Sequence, residues 1–166
     1  PTGVGARRVH KRMAVSEPIV CFGYKDSQVG FDGRPLMRKI IGAEMLMHML
    51  AGRSSSLYNA LYEEGLIDAS FDWDYDCERD YGLAMFEGRS NDPHRLVEHV
   101  ADGVRSFLDS GVDLEGFERT RRRVIGSMLR SFDSLEFIAY NFLSYHFRNM
   151  RLIESVDVAK SITAEE

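Results

Sequence analysis

Cysteine, proline and tryptophan are scarce: two, four and one in 166 residues. Cys21 and Cys77 stand far apart with no CxxC spacing, which excludes a disulfide framework and a zinc knuckle and fits a reducing, cytoplasmic setting. Long apolar runs are missing too, since none approaches the ~18 residues of a membrane span. Pro1–Arg12 carries basic residues but no apolar stretch behind them, so no secretory signal is expected. Positive charge has no surplus. The 21 basic side chains face 26 acidic ones, a net charge of −5, which argues against a nucleic-acid partner. G-x-G-x-x-G, P-loop and G-x-S-x-G motifs are all absent, as are repeats and low-complexity segments.

What is present is an ordinary globular composition, 44% hydrophobic and 28% charged. At this length about 70% of the extended surface can be buried, enough for a real core. The first residue is not Met, and Thr163-Ala-Glu-Glu166 reads as a capping box with no helix behind it. The expectation is therefore a piece of a longer polypeptide, with residues 1–12 as linker or remnant. Residues 13–166 form a single α+β domain, truncated at its C-terminal end.

β-leaning residues over 13–25 predict a strand that starts at Pro18 or runs along an edge. Pro35 at a first helical position opens a helix whose apolar stripe runs from Leu36 to Leu50 and stops at Gly52. Ser54 or Ser55 caps a shorter helix through Glu64, ended by Gly65. Ile67, Ala69, Phe71, Trp73 and Tyr75 then alternate with Asp68, Ser70, Asp72, Asp74 and Asp76, the signature of a strand with one wet face. A turn at Cys77–Asp80 returns the chain as a second strand, Tyr81–Glu87. Three helices follow, capped by Asp92 with Pro93, by Asp113, and by Asp133 with Glu136. The fold class is α+β: one largely antiparallel sheet packed against several helices. The eight methionines and the aromatic row from Phe137 to Phe147 are assigned to the core.

Three clusters invite chemistry. His94 and His99 with Glu98 suggest zinc, but five residues along a helix put them roughly 140° apart, so both cannot hold one ion. Asp68, Asp72, Asp74 and Asp76 form an acidic row, most simply a solvated sheet face. Arg119, Arg121, Arg122 and Arg123 follow Glu115 and Glu118 by one turn, which predicts pairing of Glu115 with Arg119 and of Glu118 with Arg122. No catalytic constellation emerges from the residues, and no metal site within them.

The run Gly52-Arg-Ser-Ser-Ser-Leu-Tyr-Asn-Ala-Leu-Tyr-Glu-Glu-Gly-Leu-Ile67 resembles a segment of the insulinase-like zinc metallopeptidases, the pitrilysin and mitochondrial processing peptidase relatives. Their second half-domains carry a pattern close to G-x-S-S-x-L-Y/F-x-x-L-R-E-x-x-G-L-x-Y. The long helix before it, the hairpin after it and the Asn91-Asp-Pro93 helix start follow the same order, so the resemblance runs from about Met13 to the C-terminus. It is nearest to the small bacterial members whose C-terminal domain is inactive.

The resemblance implies a half-domain without zinc of its own. The HxxEH zinc motif of the family belongs to the N-terminal domain of the same parent chain, where a zinc-bound water attacks a peptide carbonyl. The implied partners are that N-terminal domain, a second family subunit or homodimer mate, and peptide substrates, with no nucleic acid and no membrane. The implied function is a non-catalytic chamber wall that binds substrate. The alternative is an assembly domain of a member that has lost proteolysis. In many members the second half-domain supplies an Arg and a Tyr that hold the substrate carbonyl. Those positions fall on Tyr62 and Asp68 here, and both depart from the pattern. Neither is carried over as catalytic. A domain lacking the pair suits the zinc-bearing subunit of a split pair.

Overall fold

In the computed structural model, which describes residues 4–165, three strands and six helices follow one another as β1 (Ile19–Asp26), α1 (Gly33–Ala51), α2 (Ser56–Glu63), β2 (Asp72–Cys77), β3 (Gly82–Arg89), α3 (Pro93–Ser110), α4 (Leu114–Ser131), α5 (Leu135–Phe147) and α6 (Ser155–Ser161). A 3-10 turn, Leu152–Glu154, leads into α6. The sheet has the order β1-β3-β2 and is antiparallel throughout. Residues 1–3 of the expected linker, and Glu166 of the expected capping box, lie outside the described residues.

Local chemistry places most boundaries. Ser55 accepts a hydrogen bond from the Tyr58 amide and opens α2. Gly65, at φ 68°, closes it: the Leu66 amide reaches the Leu61 carbonyl and the Gly65 amide that of Tyr62. Asp92 caps α3 through the Arg95 amide, and Asp113 caps α4 through the Glu115 and Gly116 amides. α1 begins two residues earlier than Pro35 predicts, because Asp32 accepts from the Gly33 amide and so puts Pro35 in the first turn.

Cross-strand pairing fixes the faces of the sheet. Phe22, Phe86 and Trp73 lie side by side, and Phe22 and Phe71 both stack on Phe86. Trp73 is half-buried, with its ring edge-to-face on His48 at 4.7 Å. Asp72 and Asp74 point outward beside Glu87 and Met85. The alternation therefore reads correctly, but the strand is shorter than expected. Asp68 accepts from the Ser70 amide and its backbone carbonyl from the Phe71 amide, so residues 68–71 form a turn before β2 begins.

Two buried clusters share α1. Leu36, Met37, Ile41 and Met45 pack with Phe117 and Val124 of α4 and with Val158 and Ala159 of α6. Met47, Leu50 and Ala51 pack with Leu61, Leu96, Val100, Phe71 and Phe86. The expected core role of the methionines holds for Met37, Met45, Met47 and Met150, but Met13 is exposed.

The last expected helix departs most. Its cap is Ser134, which accepts from the Phe137 amide, not Asp133 with Glu136. Its aromatic row is not core: no α5 residue is buried, and Tyr140, Phe142 and Phe147 are 74%, 65% and 78% exposed. Apolar residues occur almost all round α5, so a helical stripe cannot pick out which side faces inward.

Phe86, 1% exposed and stacked on two rings, is where a cavity costs most. Phe86→Ala should lose ~3–5 kcal/mol of stability, and Tyr140→Ala below about 0.5 kcal/mol. Urea unfolding followed by Trp73 fluorescence measures both; equal losses would show that α5 belongs to the core.

Candidate functional site

A groove of about 640 Å³ beside α1 is lined by Met45, Met47 and Met49 together with Phe117 and residues 162–164. Its polar corner brings together three residues from separate elements. Asp26 ends β1, Lys39 lies on α1, and Tyr75 comes from the inner face of β2. One Asp26 oxygen accepts from the Tyr75 hydroxyl and pairs with Lys39 Nζ, each at 2.8 Å, and the other accepts from the Gln28 amide at 2.7 Å. Lys39 also donates to the Gln28 carbonyl, and its ammonium stands 4.9 Å from the Phe31 ring centre.

Burial alone raises the Asp26 carboxyl pKa, but Lys39, the Gln28 amide and Tyr75 together outweigh it and hold the group below its usual range. Burial first, then the neighbouring Cys77 thiol and Asp26, push the Tyr75 phenol far above its ordinary value. At neutral pH the corner is thus an ionised carboxylate with a committed phenol donor and a paired ammonium. These contacts tie β1, α1 and β2 together at one end of the groove.

The residues singled out in the sequence lie elsewhere. Tyr62 is exposed on the last turn of α2, stacked on Tyr58 at 6.3 Å. Asp68 sits in the following turn, where the Ser70 hydroxyl and amide lower its pKa. It accepts and does not donate. Neither residue lines the groove. His99 Nδ1 lies 3.4 Å from Glu64, whereas His94 approaches His10 with ring centres 6.1 Å apart, so the two histidines have different neighbours. Asp76 accepts from Tyr81, and Asp72 from the Trp73 amide. Arg119 pairs with Glu115 at 2.7 Å as expected, but Glu118 pairs with Arg121 at 2.8 Å instead of Arg122. The reason is that Arg121 also reaches the Lys160 and Ile162 carbonyls, which holds it over Glu118.

Sequence reading missed the groove corner, because nothing in the chain announces that Asp26, Lys39 and Tyr75 meet. It also passed over Glu44 and His48 on α1, spaced i,i+4 with 3.9 Å between carboxylate and ring. Burial raises the pKa of Glu44 and, with Arg123, lowers that of His48, whose Nδ1 is buried without a partner. Among the described residues no three His, Cys, Asp or Glu side chains gather as a metal-binding group. No described helix is long and apolar enough to cross a membrane.

An antiparallel sheet backed by helices, with a groove along α1, is an α+β architecture. No family model matches the chain. Over 157 residues it is 32% identical to an uncharacterized zinc protease, YmfH, of Bacillus subtilis, covering 93% of this chain and 36% of that protein. A crystal structure of an M16-like peptidase from Alicyclobacillus acidocaldarius superposes with a TM-score of 0.85 at 27% identity, over 91% of this chain and 36% of that one. The fold also recurs in a structure described as the inactive peptidase domain of a zinc protease from Bordetella parapertussis, with a TM-score of 0.72 at 19% identity over 95% of this chain and 83% of that one. Along nearly its whole length the chain is similar to these zinc-protease and M16-like peptidase relatives, which supports an insulinase-like half-domain. It spans little more than a third of the length of its curated relative.

Asp26→Asn should destabilise the fold by about 1 kcal/mol at pH 7, the scale of a partly exposed hydrogen bond to a charged group. Because the folded pKa lies below the unfolded value near ~3.9, this contribution is complete above pH ~5 and fades as pH falls through 4 and below. Urea midpoints of both proteins between pH 3 and 7 measure it. A difference that grows as pH falls would contradict the pairing.

Proposed function

We propose that the chain is the non-catalytic C-terminal half-domain of an insulinase-like zinc metalloendopeptidase, forming part of a chamber wall that holds peptide. The zinc motif then lies in a companion N-terminal half-domain of the same polypeptide. One observation carries this reading: identity to a zinc protease runs along nearly the whole chain yet accounts for only 36% of that relative. On this reading residues 13–166 are the domain unit, residues 1–12 a linker, and a second family subunit or a second copy completes the particle. The two cysteines, both free, suit a reducing cytoplasm.

In this role the chain binds and orients and does not move protons. The groove along α1 presents methionines, which accommodate varied apolar side chains. Tyr62 offers a single donor and Asp68 none, so the donors that steady a substrate carbonyl come from another chain. An HxxEH sequence in the companion half-domain separates this reading from an assembly role without proteolysis.

Two measurements test it. The purified chain should retain no stoichiometric zinc after dialysis against a mild chelator, while the full polypeptide keeps one zinc and hydrolyses peptides. In that polypeptide Tyr62→Phe and Asp68→Asn should each change kcat/KM by less than about tenfold, below ~1.4 kcal/mol. Loss of turnover in Tyr62→Phe with zinc and folding intact would make this domain a direct participant and overturn the proposal.

A further inference from the structure

α5 has thirteen residues and one charged side chain, Glu136. Its inner side, through Phe137, Ile138, Asn141, Ser144 and Tyr145, is half-covered, and its outer side carries Leu135, Tyr140, Phe142, Leu143 and Phe147. The three outer aromatics alone expose roughly 400 Å² at about 200 Å² per ring, already as much as the largest patch of a typical monomer. The other long helices differ: α3 and α4 carry numerous charged residues on their outer faces.

The face is firmly presented. Where α5 ends, Arg148 pairs with Glu78, and its carbonyl accepts from the Gly33 amide at 3.0 Å. Asn149 donates to Asp32 at 2.8 Å, and Met150 is buried behind it. The helix is thus tied to the start of α1 while its apolar side stays uncovered.

We propose that the outer face of α5 is the seat on which the companion half-domain of the same polypeptide docks. The inference rests on the reading of the chain as one half-domain of a longer peptidase. Length supports that occupant, since nearly two thirds of the curated relative lies outside the aligned part. Charge supports it as well. Depletion of charge with aromatic enrichment marks the cores of protein interfaces, and α5 shows both. A tethered partner also holds an effective concentration near the millimolar range, which outcompetes a free second copy.

The test uses the full polypeptide with Cys21→Ser and a single new thiol, Leu143→Cys or Phe147→Cys, against Glu115→Cys on exposed α4. Maleimide labelling of the α5 thiols should be at least tenfold slower than at Glu115→Cys and unchanged on dilution. Hydroxyl-radical footprinting of the unsubstituted polypeptide provides a second reading, with Tyr140 oxidised far less than Tyr62. Labelling and oxidation at the rate of the exposed references would overturn the proposal, and so would protection that disappears on dilution, which would assign the face to a second copy. Zinc content is read in parallel. Protected α5 without zinc would overturn the peptidase reading alone, and zinc with unprotected α5 the docking alone.

Discussion

One helix holds the domain together. α1 buries Leu36, Met37, Ile41 and Met45 against α4 and α6, then turns Met47, Leu50 and Ala51 toward α2, α3 and the sheet. Each such side chain withdrawn from water contributes about 1.5–3 kcal/mol, so α1 accounts for a large share of both clusters. A helix serving two clusters needs apolar residues over an arc wider than one stripe. Its methionines, unbranched and adaptable, fill the irregular gaps that result. The same helix supplies Lys39 to the groove corner and Glu44 and His48 to the strip beneath Trp73. α1 thus contributes to both clusters and to one side of the groove.

α5 shows the opposite arrangement. Its side chains are as apolar as those of α1, yet none is buried. The contrast separates composition from packing: hydrophobicity says that a surface avoids water, and only the surrounding elements decide what covers it. The apolar outside of α5 links the proposed role to the proposed docking face.

Where one element's chemistry is local, the sequence is readable. The Ser55 cap, the Gly65 stop, the Asp92-Pro93 start and the Phe71, Trp73, Tyr75 alternation all act within a few residues, and each stands in the structure as read. Where the deciding contact is remote, the reading fails. The turn made by Asp68 and Ser70 cuts the strand short within an unbroken alternation. The reach of Arg121 to carbonyls near residue 160 diverts Glu118 from Arg122. The short α6, with seven residues, has too few turns to display a stripe. The union of Asp26, Lys39 and Tyr75 needs three elements to meet, and no spacing along the chain encodes it.

Native-state hydrogen exchange of the chain resolves this hierarchy amide by amide, since a helix shared by two clusters opens only when the whole fold opens, whereas a helix held at one end opens locally. The interior amides of α1 should exchange last, at the free energy of global unfolding, and those of α5 among the first of the helices. Exchange of α5 as slow as that of α1 would contradict the account, because α5 would then be an integral part of the core with no face left to dock.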